Sequence, residues 1–285
     1  MSAEPPEEPP DAGRVELARV LEDERLQRVL DVLNGDGEET RVVGGAVRNA
    51  LLGLPVKDVD LTTTALPEIT TRRAEAAGLK VVPTGIEHGT VTVIVKGAPF
   101  EVTTLREDVE TDGRFAVVRY GRDFAADALR RDFTINALSV RADGEICDYT
   151  GGLADIAARR VRFIGSARQR IREDYLRILR FFRFFAEYAE GPIDPEGLHA
   201  AISERGGLER LSRERIRAEF LRLMGARRVQ ETAALLAHSG LLDRLTGGIG
   251  DLGRLSRAIA NAPADPVLRL AAFDVMSTND AERLT

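Results

Sequence analysis

The hydrophobic pattern of this chain changes once, near Gly165, and that change limits the folds available to it. Before it, short runs rich in β-branched residues alternate with short helical patterns, which predicts strands over 41–43, 56–61, 90–95 and 100–105. After it, apolar residues recur every three or four positions, as they do in packed helices. The sequence therefore predicts an α/β head followed by an all-helical part.

The N-terminal segment has a composition of its own. Its first dozen residues are rich in proline and glutamate and bury too little apolar surface to offset the entropy of ordering, so we predict disorder there. Over 15–33 the apolar residues recur at three- and four-residue steps, which predicts one amphipathic helix, and the polar run 34–39 is expected to end it.

The composition excludes several classes of protein. Hydrophobic residues make up 44% of the chain and charged residues 30%, and no run approaches the ~18 apolar residues of a membrane span. The opening lacks the positive start and apolar core of a signal peptide, so we expect a cytoplasmic protein. The single cysteine, Cys147, excludes an internal disulfide and any zinc site built on several cysteines.

The net charge of −6 hides a separation of charge along the chain. Residues 1–40 hold twelve acids and four arginines, whereas 156–183 hold nine arginines against two acids. A second basic block, 205–228, holds eight arginines against three glutamates. These blocks fit a nucleic-acid or nucleotide surface confined to one region, and they fit solvated helix faces equally well.

Two carboxylates, Asp58 and Asp60, are separated by one residue in a predicted strand, so the two-residue period puts both on one face. Adjacent acids repel each other unless a positive charge lies between them. Magnesium prefers a few carboxylate ligands and completes its octahedron with water and substrate phosphates. The pattern predicts a magnesium site, and a pair of solvated loop acids is the alternative.

Upstream of these acids, a predicted strand runs into Gly44-Gly45 and then a short helix over 46–52. Glycines at a strand-to-helix turn let backbone amides approach a phosphate closely, and the helix N-terminus adds partial positive charge. Arg48, one turn into that helix, would add a full charge. The alternative is a plain tight turn.

Five segments occur in the order seen in class II transfer-RNA nucleotidyltransferases, which are the CCA-adding enzymes, and in the related bacterial poly(A) polymerases. They are VVGGAVRNALLGLPVKDVDLTT, EVTTLREDVETDGR, RRDFTINAL, DYTGG and EDYLRILRFFRF. The chain resembles this family over roughly residues 40 to 220. The resemblance implies a polymerase-β-like nucleotidyltransferase head over 36–165 after an acidic tail and helix over 1–35, an all-α neck over 166–228 and a partial helical body over 229–285.

The resemblance also implies roles for individual residues. It makes Asp58 and Asp60 the magnesium ligands and catalytic acids, with Glu101 as a third catalytic carboxylate, for which the alternative is a strand-edge acid facing water. The set that it implies binds the nucleotide in the head comprises Gly44, Gly45, Arg48, Arg131 toward the triphosphate and Asn136 toward the sugar. The family usually has aspartate where this chain has Asn49, and we expect that change to affect local hydrogen bonding more than metal binding.

Asp174 and Arg177 lie three positions apart on a predicted helix of the neck, which would project them side by side. Asp174 only accepts hydrogen bonds and Arg177 only donates them, so the pair matches cytosine and adenine and opposes uracil and guanine. Arg180 and Arg183 continue the helix and are expected to reach the phosphates of the nucleotide. An exposed, ion-paired helix surface is the alternative.

The resemblance implies a magnesium-dependent enzyme that adds CCA to the 3′ end of tRNA from CTP and ATP, releases pyrophosphate and uses no template. It also implies that the polar stretch 106–122 is a mobile loop associated with switching from C to A addition. The expected partners are the acceptor region of tRNA, CTP and ATP, with neither DNA nor a membrane. A poly(A) polymerase and a non-catalytic RNA-binding remnant are the alternatives.

Overall fold

The computed structural model describes residues 11–107, 119–246, 250–261 and 265–274. The chain forms two compact units that divide between Ala158 and Arg159. The predicted head–neck join near Gly165 therefore lies inside the second unit. The division of that unit into a neck and a body stays a prediction.

The first unit is an α/β domain, as predicted. Its helices are α1 (Asp11–Leu21), α2 (Glu24–Leu33), α3 (Gly45–Leu51), α4 (Pro67–Ala76), α5 (Phe124–Leu129) and α6 (Gly152–Ala157), and its strands are β1 (Thr40–Val43), β2 (Asp60–Thr63), β3 (Lys80–Gly85), β4 (Thr90–Val95), β5 (Ala98–Thr104), β6 (Arg106–Glu107), β7 (Arg119–Tyr120), β8 (Ser139–Val140) and β9 (Ile146–Cys147). Two 3₁₀ turns, Ile86–His88 and Thr134–Asn136, complete it.

Seven of these strands form one mixed sheet in the order β3-β4-β5-β2-β1-β8-β9. The pairing of β2 with β5 is parallel, and the other pairings in this sheet are antiparallel. One face is apolar, with Leu61, Val91, Val93 and Val102 buried, and helices α2 and α4 contact β4. The two-residue period leaves Asp60 and Glu101 on the opposite face, which they share with Thr62 and Thr103.

The prediction of one helix over 15–33 is wrong, because the segment forms α1 and α2. Asp23 separates the two helices, because its backbone is extended and its side chain accepts the Arg25 N–H, which caps α2. The predicted disorder of the first dozen residues fails for Asp11 and Ala12, which begin α1, and residues 1–10 lie outside the described residues.

The predicted polar loop 106–122 begins and ends in a short ladder. Arg106 pairs with Tyr120 and Glu107 with Arg119, so β6 and β7 bring the two ends of the segment together. Residues 108–118, which carry the rest of that prediction, lie outside the described residues.

The second unit is helical throughout its described residues. Its helices are α7 (Ala167–Glu173), α8 (Leu176–Tyr188), α9 (Pro195–Ser203), α10 (Arg213–Gly225), α11 (Val229–His238), α12 (Leu242–Thr246), α13 (Leu252–Asn261) and α14 (Pro266–Asp274), with a 3₁₀ turn over Arg205–Arg210. Helix α8 lies at the centre, where Phe181, Phe182 and Phe185 are buried and α7, α10 and α11 pack around them. Within the described residues, no helix is long and apolar enough to cross a membrane.

Candidate active site

The face of the sheet on which Asp60 and Glu101 are exposed, called the open face below, carries one predicted metal ligand and the predicted third carboxylate. Asp60 is the first residue of β2 and lies directly beside Glu101 in the parallel register with β5. The prediction that 56–61 forms a strand is wrong at its start, because β2 begins only at Asp60 and Asp58 lies in the preceding irregular segment. The two-residue period therefore does not apply to Asp58, and it is the fold that brings its charge close to Asp60.

The surroundings of Asp60 concentrate negative charge. Although the side chain of Asp60 reaches solvent, desolvation is the largest effect that raises its pKa. The charges of Glu101 and Asp58 raise the pKa further, while Arg131 opposes them. Like charges held this close favour the binding of a cation, which would relieve their repulsion.

The donor set fits a hard divalent cation only in part. Carboxylate oxygens are the ligands that magnesium prefers, and Asp58 and Asp60 would supply two of them at the start of β2. Among the described residues, no three His, Cys, Asp or Glu side chains form a group that could hold a metal ion without other ligands. Water and substrate phosphates would therefore complete the coordination, which is the way magnesium is usually bound in nucleotide sites.

The turn between β1 and α3 brings two arginines next to the glycines. Gly44 caps α3 with φ of 64°, a left-handed value that favours glycine, and its N–H donates to the Leu138 carbonyl at 3.1 Å. A Cβ added to Gly44 would lie 3.4 Å from Nη1 of Arg131, and one added to Gly45 would lie 3.7 Å from Nη2 of Arg48. These four residues therefore lie around one turn, and their binding of a nucleotide stays a prediction.

Arg48 and Asn136 are joined directly, although they are far apart in sequence. The Nη1 of Arg48 donates to Oδ1 of Asn136 at 2.5 Å, and both residues are buried. Nδ2 of Asn136 in turn donates to Oδ1 of Asp132 at 3.1 Å. Sequence reasoning missed Asp132, although its place in the RRDFTINAL segment and its charge among apolar neighbours are a signal for a buried acceptor.

Asn49 takes part in local hydrogen bonding. Its Oδ1 accepts from Nε and Nη2 of Arg48 at 3.1 and 2.9 Å, and its Nδ2 donates to the carbonyl of Pro55 at 3.1 Å. An ionised aspartate could accept the first two bonds but could not donate the third. The amide therefore ties α3 to the segment that leads to Asp58.

Asp127 holds Arg131 in place. Its Oδ2 accepts from Nε and Nη2 of Arg131 at 3.2 and 2.9 Å, and its Oδ1 accepts from Arg130. Burial by itself raises the pKa of Asp127, but the charges of Arg131 and Arg130 outweigh burial and leave the pKa below its usual value. The carboxylate is thus ionised and fixes the guanidinium of Arg131 near Gly44.

In the second unit, Asp174 and Arg177 do not share a helix, which corrects the sequence prediction. Helix α7 ends at Glu173, Asp174 has an extended backbone, and α8 begins at Leu176. The structure gives the two residues different partners: Arg215 donates to Asp174 at 2.7 Å, and Arg177 donates to Glu173 at 2.5 Å. The sequence pattern did not reveal this interruption of the helix, because the apolar positions continue through it.

Arg180 and Arg183 lie on α8, and their surroundings differ from those of a phosphate contact. The guanidinium of Arg183 is buried, with Nε donating to Oε2 of Glu219 at 2.6 Å and the group lying 4.4 Å from the ring centroid of Phe184. Arg180 lies 3.9 Å from the same glutamate. Glu219, which sequence reasoning also missed, thus gives Arg183 a structural role, and contact of either arginine with phosphate stays a prediction.

A mixed sheet with carboxylates on its open face, followed by a helical unit, defines the polymerase-β-like nucleotidyltransferase class. Residues 40–162 match the family model described as "Poly A polymerase head domain", and residues 192–249 match the model described as "Probable RNA and SrmB- binding site of polymerase A". The chain belongs to the family that groups the CCA-adding enzymes with the poly(A) polymerases.

Individual relatives agree with this assignment. The chain is 37% identical to the mitochondrial CCA tRNA nucleotidyltransferase 1 of Mus musculus over 88% of its own length and 59% of the relative. It is 41% identical to the CCA-adding enzyme of Leuconostoc citreum, over 79% of its own length and 55% of the relative. A crystal structure of the Bacillus stearothermophilus CCA-adding enzyme in complex with CTP matches 87% of the chain at 35% identity with a TM-score of 0.70, and the match covers 56% of that enzyme. The chain therefore spans somewhat more than half the length of each of these three relatives.

Proposed function

We propose that this protein adds CCA to the 3′ end of tRNA, using CTP and ATP, releasing pyrophosphate and requiring magnesium. The observation that carries the proposal is the register of β2 against β5, which puts Asp60 beside Glu101 on the open face of the sheet. The grouping of Arg48 and Arg131 around the Gly44-Gly45 turn supports it, because these cations suit a triphosphate.

The reaction needs the 3′-hydroxyl oxygen of the RNA to attack the α-phosphorus of the nucleotide, with pyrophosphate as the leaving group. Asp58 and Asp60 would hold the magnesium, which would supply Lewis acidity, lowering the pKa of the hydroxyl and neutralising charge on the leaving pyrophosphate. Arg131 binds and orients the triphosphate. Asn136 is proposed to contact the sugar of the nucleotide, and its Oδ1 also fixes the guanidinium of Arg48.

Asp174 and Arg177 are proposed to choose the base. A carboxylate offers only acceptors and a guanidinium only donors, so cytosine and adenine find partners for the exocyclic amino group and the adjacent ring nitrogen. Uracil and guanine present a carbonyl beside a ring N–H, which would leave polar groups unpaired. The names of the two curated relatives and the CTP complex of the Bacillus enzyme support cytosine and adenine as the bases added, and the roles of Asp174 and Arg177 rest on this chemical match alone.

A test of catalysis uses Asp58→Ala with Asp31→Ala as the matched control, an exposed acid on α2 of the same unit. Loss of a metal ligand should lower the rate of CMP incorporation by a factor of about 1,000 or more, equivalent to roughly 4 kcal/mol of transition-state stabilisation. The affinity for tRNA should not fall, because the removal of a negative charge adds no repulsion toward the phosphates of the RNA. An unmodified protein that is inert with magnesium would leave only RNA binding as the function.

Poly(A) addition is the second candidate, because the family model that matches the head is named for a poly(A) polymerase. A tRNA that lacks its terminal nucleotides, incubated with each nucleoside triphosphate separately, distinguishes the two. Incorporation of CMP supports CCA addition, and repeated incorporation of AMP alone supports the polymerase. A cytoplasmic location is a further part of the proposal, testable by cell fractionation.

A further inference from the structure

The carboxylate of Asp174 is held from two sides. Its Oδ1 accepts the Leu176 N–H at 3.1 Å, and its Oδ2 accepts Nη2 of Arg215 at 2.7 Å. Arg215 comes from the first turn of α10, where its own N–H is capped by the side chain of Ser212. The ion pair is open to solvent, with 34% of the Asp174 side chain and 49% of the Arg215 side chain exposed.

Two donors on two different oxygens set the plane of the carboxylate. With Leu176 alone, the group could rotate about the Cβ–Cγ bond, whose torsional preference is broad. The second donor is therefore what fixes where the acceptor lone pairs point. An exposed ion pair adds little to stability, so the consequence of this contact is orientation.

Arg177, the proposed partner of Asp174 in base selection, is also held by two hydrogen bonds. Nη1 of Arg177 donates to Oε2 of Glu173 at 2.5 Å and to the carbonyl of Arg170 at 3.0 Å. Arg170 also donates to Oε2 of Glu173, at 2.9 Å. The acid is thus oriented from α10 and the guanidinium from α7.

We propose that Arg215 is a positioning residue for base selection, which holds Asp174 so that cytosine and adenine are preferred over uracil and guanine. The inference rests on the proposed function of Asp174. If the carboxylate turns away, the amino group of cytosine loses its acceptor, and the carbonyl of uracil no longer faces a repelling oxygen. The loss of Arg215 should thus narrow the difference between CTP and UTP.

The test measures the ratio of kcat/KM for CTP to kcat/KM for UTP on a tRNA that lacks its terminal nucleotides. Arg215→Ala should lower this ratio by a factor of about 10 and raise the KM for CTP. Arg215→Lys, which keeps a donor of shorter reach, should recover part of the ratio. Arg217→Ala removes the same charge from an exposed position on the same helix and should leave the ratio unchanged even if RNA binding weakens.

The outcomes of these measurements distinguish a role of Arg215 in base selection from a role in RNA binding or folding. Equal losses of kcat/KM for both nucleotides in Arg215→Ala, as in Arg217→Ala, would assign Arg215 to RNA binding alone and refute the inference. If Asp174→Ala loses selectivity and Arg215→Ala keeps it, the proposed function stands and the inference fails. An unmodified protein that incorporates neither CMP nor AMP overturns both. A melting temperature of Arg215→Ala equal to that of Arg217→Ala shows that a loss of selectivity does not come from a loss of folding, whereas a much lower one in a variant without selectivity would assign Arg215 to folding and refute the inference.

Discussion

The buried hydrogen bond between Thr134 and Asp155 should support both the stability of the first unit and nucleotide binding. Thr134 is 3% exposed and opens the 3₁₀ turn that carries Asn136, and its Oγ1 donates to Oδ2 of Asp155 at 2.6 Å. Asp155 lies in α6 and is fully buried. Thr134→Val keeps the shape of the side chain and removes only this donor.

The magnitude follows from the burial of the acceptor, because the carboxyl group of Asp155 is fully buried. Removing one partner of a buried polar group costs about 1–3 kcal/mol, whereas a typical hydrogen bond contributes about 0.5–1.5 kcal/mol. Thr40→Val is the matched control, because Oγ1 of Thr40 donates to Oγ1 of Thr63 at 2.9 Å in an equally buried place, and Oγ1 of Thr63 still accepts the Ala65 N–H after the substitution. Thr134→Val should therefore lower the free energy of unfolding about twice as much as Thr40→Val does.

Two measurements check this. Urea denaturation gives the free energy of unfolding of each variant, and the melting temperature should fall by about 2–4 °C for each kcal/mol lost. Steady-state kinetics should show a higher KM for CTP in Thr134→Val, because the turn that carries Asn136 would no longer be fixed and Arg48 would lose part of its support. Equal destabilisation by Thr134→Val and Thr40→Val, with an unchanged KM, would refute the reasoning.

Two further predictions concern the same unit. Gly152→Ala should strongly destabilise the first unit, because a Cβ there would lie 2.4 Å from the carbonyl oxygen of Thr134. Gly151→Ala would meet no atom within 4 Å and should show only the strain of its φ of 79°. The melting temperatures of the two variants test this difference. Asp127→Asn should lower the urea midpoint at neutral pH, because it removes the ion pair with Arg131. Folding lowers the pKa of Asp127, so its contribution to the free energy of unfolding is present above the unfolded pKa of about 3.9 and is lost as pH falls through the folded pKa. The urea midpoints of wild type and variant should therefore converge below about pH 4. A gap that stays constant from pH 7 to pH 3 would contradict this.

Several local features could be predicted from the sequence. The strand Thr90–Val95 has the predicted bounds, and the turn at Gly44-Gly45 leads into a helix as expected. These features depend on the period of apolar residues and on the backbone freedom of glycine, both of which act over a few residues. The same local reasoning failed at Asp23 and at Asp174, because apolar spacing runs on through both positions while a capping carboxylate divides the helices.

By itself, the sequence determined the kinds of chemistry present: the carboxylates, the arginines, the order of the motifs and the change from strands to helices near the middle of the chain. The tertiary structure alone decided the partners. Asp60 meets Glu101 because two strands about forty positions apart pair in a particular register, and Asp174 meets Arg215 because α10 packs against α8. Local periodicity follows from backbone geometry, whereas long-range register and ion pairs are chosen by the packing of whole elements, which no short window of sequence contains.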